Sequence, residues 1–185
     1  IKINNLLYED IQSISIDGML FRDLNKNNIL DSYEDYRLDA ETRSDDLLSQ
    51  MNLEEKIGQM FHPPFTIKPD FWMLLYEIAI RGNKLPETQI LVDHITHFNL
   101  YGNPAPKELA KKINHFQRIA SKTRLGIPIT ISSDPIHEVP KGGGVASFSV
   151  DGFSKWPSQL GFAATNDPKI IKEFAEIVKS EYLAV

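Results

Sequence analysis

The chain of 185 residues contains no cysteine. That absence excludes a disulfide framework, a thiolate zinc site and a cysteine nucleophile, and it leaves the compartment open. Positive charge is also short. Twenty Lys+Arg stand against 25 Asp+Glu, a net charge of −5, so the basic footprint that binds nucleic-acid phosphate is not expected. No apolar run reaches membrane length: the longest, FWMLLYEIAI at 71–80, carries Glu77 and is about half a bilayer span. The chain opens with Ile1 and shows no charged-then-apolar leader, so any signal peptide is expected to have been removed or never included. What remains is ordinary globular composition, 42% hydrophobic and 24% charged, which rules out disordered, collagenous and low-complexity classes. A soluble domain is expected.

Along the chain, residues 1–20 alternate weakly and 21–36 form a dense polar loop. From there the period becomes helical. Asp39 caps a helix with Leu47, Leu48 and Met51 turned inward, and Asn52 with Glu55 forms a capping box opening a second, with Leu53, Ile57 and Met60 inward. HPPF at 62–65 breaks it, and the apolar stretch 70–93 reads as a helix-like insertion. THFNLY at 96–101 reads as a strand. Leu109, Ile113, Phe116 and Ala120 line an amphipathic helix, and IPITIS at 127–132 reads as a buried strand. A glycine-rich loop covers 134–157. Asp167 then caps a last helix with Pro168 at its first position and Ile170, Phe174, Ile177 and Val178 as its inner stripe. Helices alternating with strands at this spacing argue for βα units, an α/β fold with a parallel sheet.

One loop has metal-ligand spacing. From Asp23 to Glu34, oxygen donors fall at Asp23, Asn25, Asn27, the Ile29 carbonyl, Asp31 and Glu34. That is the pattern by which a 12-residue turn supplies the six to eight oxygens of Ca²⁺. Asn28 stands where such loops carry Gly, and Asn is the next-best residue for a left-handed turn. The other reading is an Asn/Asp turn held by its own side chains. Elsewhere, His94 and His97 would approach one metal only on a helix. Gly142–Gly144 lack the context of a phosphate loop and read as a flexible active-site loop. Ser132 and Ser133 have no evident histidine partner for nucleophilic chemistry. Trp156 reads as core packing beside Pro157. Asp134, closing IPITISSD, is either a turn cap or a carboxylate able to accept hydrogen bonds from a bound ligand, and His137 either lines the same pocket or is an exposed loop residue.

Four stretches in this order, DLNKNNILDSYEDYR, MNLEEKIGQM, KTRLGIPITISSDP and FSKWPSQLGFAATNDPKIIKEFAEIVKSEYLAV, resemble the N-terminal domain of glycoside hydrolase family 3, the β-glucosidase and β-xylosidase family. The resemblance implies a (β/α)₈ TIM-type barrel, which takes roughly 250 residues when complete. About the first three strand-helix units are expected within 39–185, preceded by an extension at 1–38 that carries the calcium-type loop. It implies retaining hydrolysis of terminal non-reducing β-glucosyl or xylosyl residues, with Asp134 holding the terminal sugar and His137 beside it. The family's nucleophile and acid/base are not matched by this sequence, so the chain alone is expected to be inactive. The rest of the barrel and the C-terminal domain would come from the same chain or a second polypeptide. No catalytic cofactor, nucleic acid or membrane is implied, and a bacterial periplasmic or extracellular location is. Members that remove N-acetylglucosamine usually carry an Asp-Gln-Glu-Gly-Gly-like run where this chain has Asp134-Pro135-Ile136-His137, which favours the glucosidase branch. The rival expectation is a non-catalytic, calcium-stabilised carbohydrate-binding or assembly module. A reading frame continuing past Val185 would separate the two.

Overall fold

The computed structural model describes residues 12–67, 75, 78–79, 82, 84–102, 104–133, 137 and 152–185. Strands β1 (Ser13–Ile16) and β2 (Met19–Arg22) pair as an antiparallel hairpin. Its turn residues Asp17 and Gly18 both take positive φ, 51° and 77°, the geometry that an Asp-Gly pair favours in tight hairpins. Weak alternation in the sequence concealed this element; the Asp-Gly dipeptide was its signal.

A short 3₁₀ turn at Ser32–Glu34 leads into α1 (Ala40–Gln50) and α2 (Leu53–Gly58). The expected caps form. Asp39 accepts from Thr42 N–H at 2.9 Å, while Asn52 Oδ1 accepts from Glu55 N–H at 2.8 Å and Glu55 returns an acceptor to Asn52 N–H at 2.9 Å. The expected inner faces do not form: Leu48, Leu53, Ile57 and Met60 are exposed, and of the named residues only Met51 is buried. The buried side of α2 is instead Glu55 and Gly58. A Cβ on Gly58 would lie 2.5 Å from the carbonyl oxygens of Asp93 and His94. The helix therefore docks through close backbone approach, and Leu53 and Ile57 are left outside.

The central sheet holds β3 (Pro64–Thr66), β4 (His97–Tyr101) and β5 (Thr130–Ser132), parallel and in that spatial order. β3 corrects the sequence reading. The helix ends at Gly58, before HPPF is reached, and the second proline, Pro64, opens a strand, where Pro needs no ladder donor. β5 is shorter than IPITIS, starting only at Thr130. Between the strands run α3 (Pro86–Val92), inside the expected insertion, and α4 (Pro106–Ala120), both with Pro in the first turn. After the loop come α5 (Gln159–Thr165), a stretch to which the sequence reading assigns no element, and α6 (Pro168–Leu183).

Register decides which face of the sheet is which. Phe65 pairs with Leu100 and Phe98 with Ile131, and this side packs on Ile90 of α3 and Leu109, Phe116 and Ala120 of α4. Phe65, Phe98 and Phe116 meet at ring-centroid distances of 5.3–6.1 Å. Burying each such side chain contributes roughly 1.5–3 kcal/mol. The opposite face carries Thr66, His97, Asn99, Tyr101, Thr130 and Ser132, half-buried or exposed. Parallel sheets ordinarily bury both faces, whereas among the described residues this face is polar and at most half-buried. The inner stripe expected of α6 is only half-buried: Ile170, Phe174, Ile177 and Val178.

Candidate functional site

The Asp23–Glu34 loop closes on its own side chains. Asp23 is buried, and its two oxygens accept from Asn27 N–H at 3.0 Å and Asn28 N–H at 2.9 Å. Asn25 Oδ1 accepts from Asn27 N–H and Asn27 Oδ1 from Ile29 N–H, two Asx turns in succession. The amides of Asn25 and Asn27 both donate to Asp31 Oδ2, at 2.7 and 2.8 Å. Glu34 accepts from the N–H groups of Leu24, Asn25 and Asp31. Burial pushes its carboxyl above the usual glutamate range, against the pull of those donors. Lys26 and Asn28 take φ of 64° and 63°, so Asn28 does make the left-handed turn expected of it. The donor set is all oxygen, three carboxylates and two carboxamides, which is the chemistry a hard cation requires. Among the described residues no three His, Cys, Asp or Glu side chains are grouped to hold a metal. His94 and His97 do not lie on a helix: His94 has φ 57° and His97 is in β4.

This loop is seated on the turn after α4. Tyr33 Oη donates to the Leu125 carbonyl at 3.3 Å and Lys26 Nζ to the Thr123 carbonyl at 3.4 Å. The Tyr33 phenol is pushed well above its ordinary range by burial, with Glu34, Asp31 and Asp23 adding to it.

On the polar face of the sheet, His62 Nε2 lies 2.8 Å from Ser132 Oγ, which also donates to Asn99 Oδ1 at 3.0 Å. The serine therefore has a histidine neighbour, though not in the arrangement of nucleophile and base. With the single hydroxyl proton directed to Asn99, His62 is the donor in this pair rather than a base. Long-range strand pairing brings the two together, and no local motif announces it.

Ser132 ends β5 two residues before Asp134, which lies outside the described residues, as does the Gly142–Gly144 run. His137 is described. It is buried, not an exposed loop residue. Its Nδ1 is 2.8 Å from the Ser154 carbonyl oxygen; a carbonyl only accepts, so Nδ1 carries the proton. The ring stacks on Phe153 at 6.2 Å and meets the edge of Phe174 at 5.3 Å. Trp156 stacks on Phe162 and packs on Phe174, in keeping with a packing role, and its Nε1–H donates to Ser154 Oγ at 2.8 Å. The Glu181 carboxylate of α6 accepts from Ser154 N–H at 2.7 Å and Ser154 Oγ–H at 3.0 Å, and lies 3.7 Å from His137 Nδ1. The sequence singled out His137 but not Ser154 or Glu181, which come from two distant segments.

Comparison with known proteins bears on this arrangement. No family model matches the chain. It is 42% identical over 164 residues to β-glucosidase C of Emericella nidulans, covering 88% of this chain and 25% of that protein. It is 40% identical over 174 residues to the periplasmic β-glucosidase/β-xylosidase of Dickeya chrysanthemi, covering 93% and 26%. A probable β-glucosidase C of Aspergillus oryzae is 38% identical over 163 residues, covering 86% and 25%. The chain thus spans about a quarter of the length of the curated relatives it matches. Among the described residues no helix is long and apolar enough to cross a membrane.

Proposed function

Since the chain belongs to glycoside hydrolase family 3 and corresponds to about a quarter of its β-glucosidases, we propose that it forms part of a β-glucosidase acting on terminal, non-reducing β-glucosyl or β-xylosyl residues. The single observation that carries this reading is identity of about 40% to enzymes of that name across nearly the whole chain, the β5 terminus included. The three parallel strands with helices on one face are the first units of a (β/α)₈ barrel. Its later strands cover the polar face of Thr66, His97, Asn99 and Ser132. Barrel enzymes place their sites at the C-terminal ends of the strands, and Asp134 follows the C-terminal end of β5. There it accepts hydrogen bonds from two hydroxyls of the terminal sugar, and His137 offers Nε2 to the same pocket, its Nδ1 being engaged with Ser154.

The chemistry is retaining hydrolysis by two carboxyl groups about 5–5.5 Å apart, through a covalent glycosyl-enzyme. Both groups come from the remainder of the barrel and a C-terminal domain. The enzyme works in the periplasm or outside the cell, as the name of the Dickeya relative suggests. A structural Ca²⁺ in the Asp23–Glu34 loop, held by Asp23, Asn25, Asn27, the Ile29 carbonyl, Asp31 and Glu34, is a separate proposal, supported by the all-oxygen donor set.

The test is Asp134→Asn in the full-length enzyme. Losing one charge-assisted hydrogen bond costs about 1.5–3 kcal/mol, so kcat/KM on an aryl β-glucoside falls on the order of tenfold to a hundredfold. An unchanged kcat/KM would overturn the assignment.

A further inference from the structure

Two imidazoles stand edge-on to each other on the polar face of the sheet. His62 lies two residues before β3 and His97 opens β4, with ring centroids 6.3 Å apart and planes at 79°. Each ring commits one nitrogen to a hydroxyl whose own proton already has a taker. Ser132 Oγ directs its proton to Asn99 Oδ1, so His62 Nε2 is the protonated nitrogen of that ring. Thr96 Oγ1 donates to Gln59 Oε1, and Gln59 is held in that orientation by its Nε2, which donates to the His94 carbonyl at 3.0 Å. His97 Nδ1, 3.0 Å from Thr96 Oγ1, is therefore the donor there. The two rings take opposite tautomers, which leaves His62 Nδ1 and His97 Nε2 unprotonated. We propose that His62 and His97 form an acid-sensitive pair in the complete protein: both are neutral in the folded state, and charging them loosens the fold. The inference rests on the reading that the remaining polypeptide closes over this face, and it adds the condition under which that closure weakens.

Among the described residues, what surrounds the rings is uncharged. Thr66 of β3, Asn99 and Tyr101 of β4, and Thr130 and Ser132 of β5 share the sheet face, with the Tyr101 phenol as its other titratable group. Behind the rings, Gln59 leads to two more titratable residues. His94 offers it a carbonyl, and Glu55, one turn before it, is engaged by Arg124 and Asn52 N–H. The described histidines that face a carboxylate are His115 and His137, at 3.4 and 3.7 Å, so neither ring of the pair has an anion at hand. A proton added to either free nitrogen finds no acceptor, and two cations this close repel each other. In this segment water still reaches the rings, His62 being exposed and His97 half-buried. Polypeptide closing over the face removes that water, and a buried charge without a partner is costly. The unfolded chain takes up the same protons at the ordinary imidazole value of about 6.5. Below that pH it binds more protons than the folded state, so the stability present above it is lost progressively as pH falls.

The experiment uses the full-length protein and substitutions that keep each donor but cannot take a proton. A Gln carboxamide places an N–H where His Nε2–H was, and an Asn carboxamide where His Nδ1–H was. The matched variant is therefore His62→Gln with His97→Asn, and the crossed variant is His62→Asn with His97→Gln. Denaturant midpoints are measured from pH 8 to pH 5. At pH 8 the matched variant should lie close to wild type and the crossed variant well below both. From pH 7 to pH 5 wild-type stability should fall more steeply than that of the matched variant, by a slope difference approaching two protons. His62→Gln alone, the milder change at the more exposed ring, should remove about half of that difference. Wild-type and matched profiles that run parallel overturn the pair. A matched variant no more stable at pH 8 than the crossed one overturns the tautomers on which the pair rests. Enzymatic activity plays no part in these readings, so a full-length protein inactive on an aryl β-glucoside overturns the glucosidase reading and leaves the pair standing.

Discussion

The Arg124 guanidinium forks onto the Glu55 carboxylate, 69 residues earlier in the chain, with Nε 3.0 Å from Oε1 and Nη2 bonded to Oε2. The same Nη2 also donates to the Gln50 carbonyl at 2.8 Å. Because Glu55 closes the capping box of α2 through Asn52 N–H, one nearly buried carboxylate joins a helix cap to the turn between α4 and β5. Local helix chemistry and tertiary docking meet at that side chain.

Arg124→Ala should therefore destabilise the fold by about 1–3 kcal/mol, the cost of leaving a buried acceptor without its charged donor. The lower part of that range is expected, because 53% of the Arg124 side chain is exposed and water screens what it contributes. Burial alone would raise the Glu55 carboxyl, yet Arg124 and the Asn52 N–H hold it below the ordinary glutamate range. Its contribution is fully present above the unfolded value and is lost as pH falls through the lower folded one. Denaturant unfolding followed from neutral to acid pH should show the wild type losing this increment and Arg124→Ala having little of it to lose. Parallel pH profiles for the two would refute the assignment.

Gly126 carries the second tie between the N-terminal loop and the sheet. Its φ is 58°, and a Cβ there would sit 2.4 Å from the Leu24 carbonyl oxygen. Gly126→Ala should cost more than the 1–3 kcal/mol of a strained backbone position, since a clash with main chain adds to the strain. Gly18→Ala is the control. Thermal melts that rank the two variants equally would show that Leu24 yields easily.

These ties mark how far the sequence could be read. Caps at Asp39, Asn52 and Asp167 depend on residues within three positions of one another, and each forms as the sequence indicates. The helix with Leu109, Phe116 and Ala120 inward was equally legible, because its apolar stripe faces a sheet that exists to receive it. The α2 stripe misled. Leu53, Ile57 and Met60 have the same periodicity, but periodicity says that a face is apolar and not what covers it. The partnership of Ser132 with His62, and of His137 with Ser154 and Glu181, depends on which strands and helices become neighbours. No window of sequence holds that information.

Calcium offers a test with opposite outcomes for the two readings of the Asp23–Glu34 loop. If the loop takes Ca²⁺, chelator should lower the melting temperature of the full-length protein, and Glu34→Gln should abolish that sensitivity. Crystals grown in millimolar calcium should then show oxygen ligands at about 2.3–2.6 Å. If the Asx turns and the three backbone donors on Glu34 suffice, chelator will leave the melt unchanged, and the calcium proposal falls.

Residues 1–185 expressed alone should fail to give a cooperative, soluble monomer. Among the described residues β3 and β5 are the outer strands of a parallel sheet, and unpaired strand edges template association with other chains. One face of that sheet is polar and only partly covered, where a parallel sheet needs both faces covered. Large apolar side chains add to the liability: Met60 and Leu160 are each 83% exposed and Leu183 78%. Net stability of a domain is only about 5–15 kcal/mol, and burying a single such side chain is worth about 1.5–3 kcal/mol, so several left in water consume much of that margin. Size-exclusion chromatography and thermal melting of the isolated segment provide the test, beside the same measurements on the full-length protein. Aggregation or a broad, non-cooperative melt is expected, with sharp unfolding restored in the longer chain. A monomeric peak with a single sharp transition would mean that the segment folds without the remaining strands, and the partial-barrel reading would have to be abandoned.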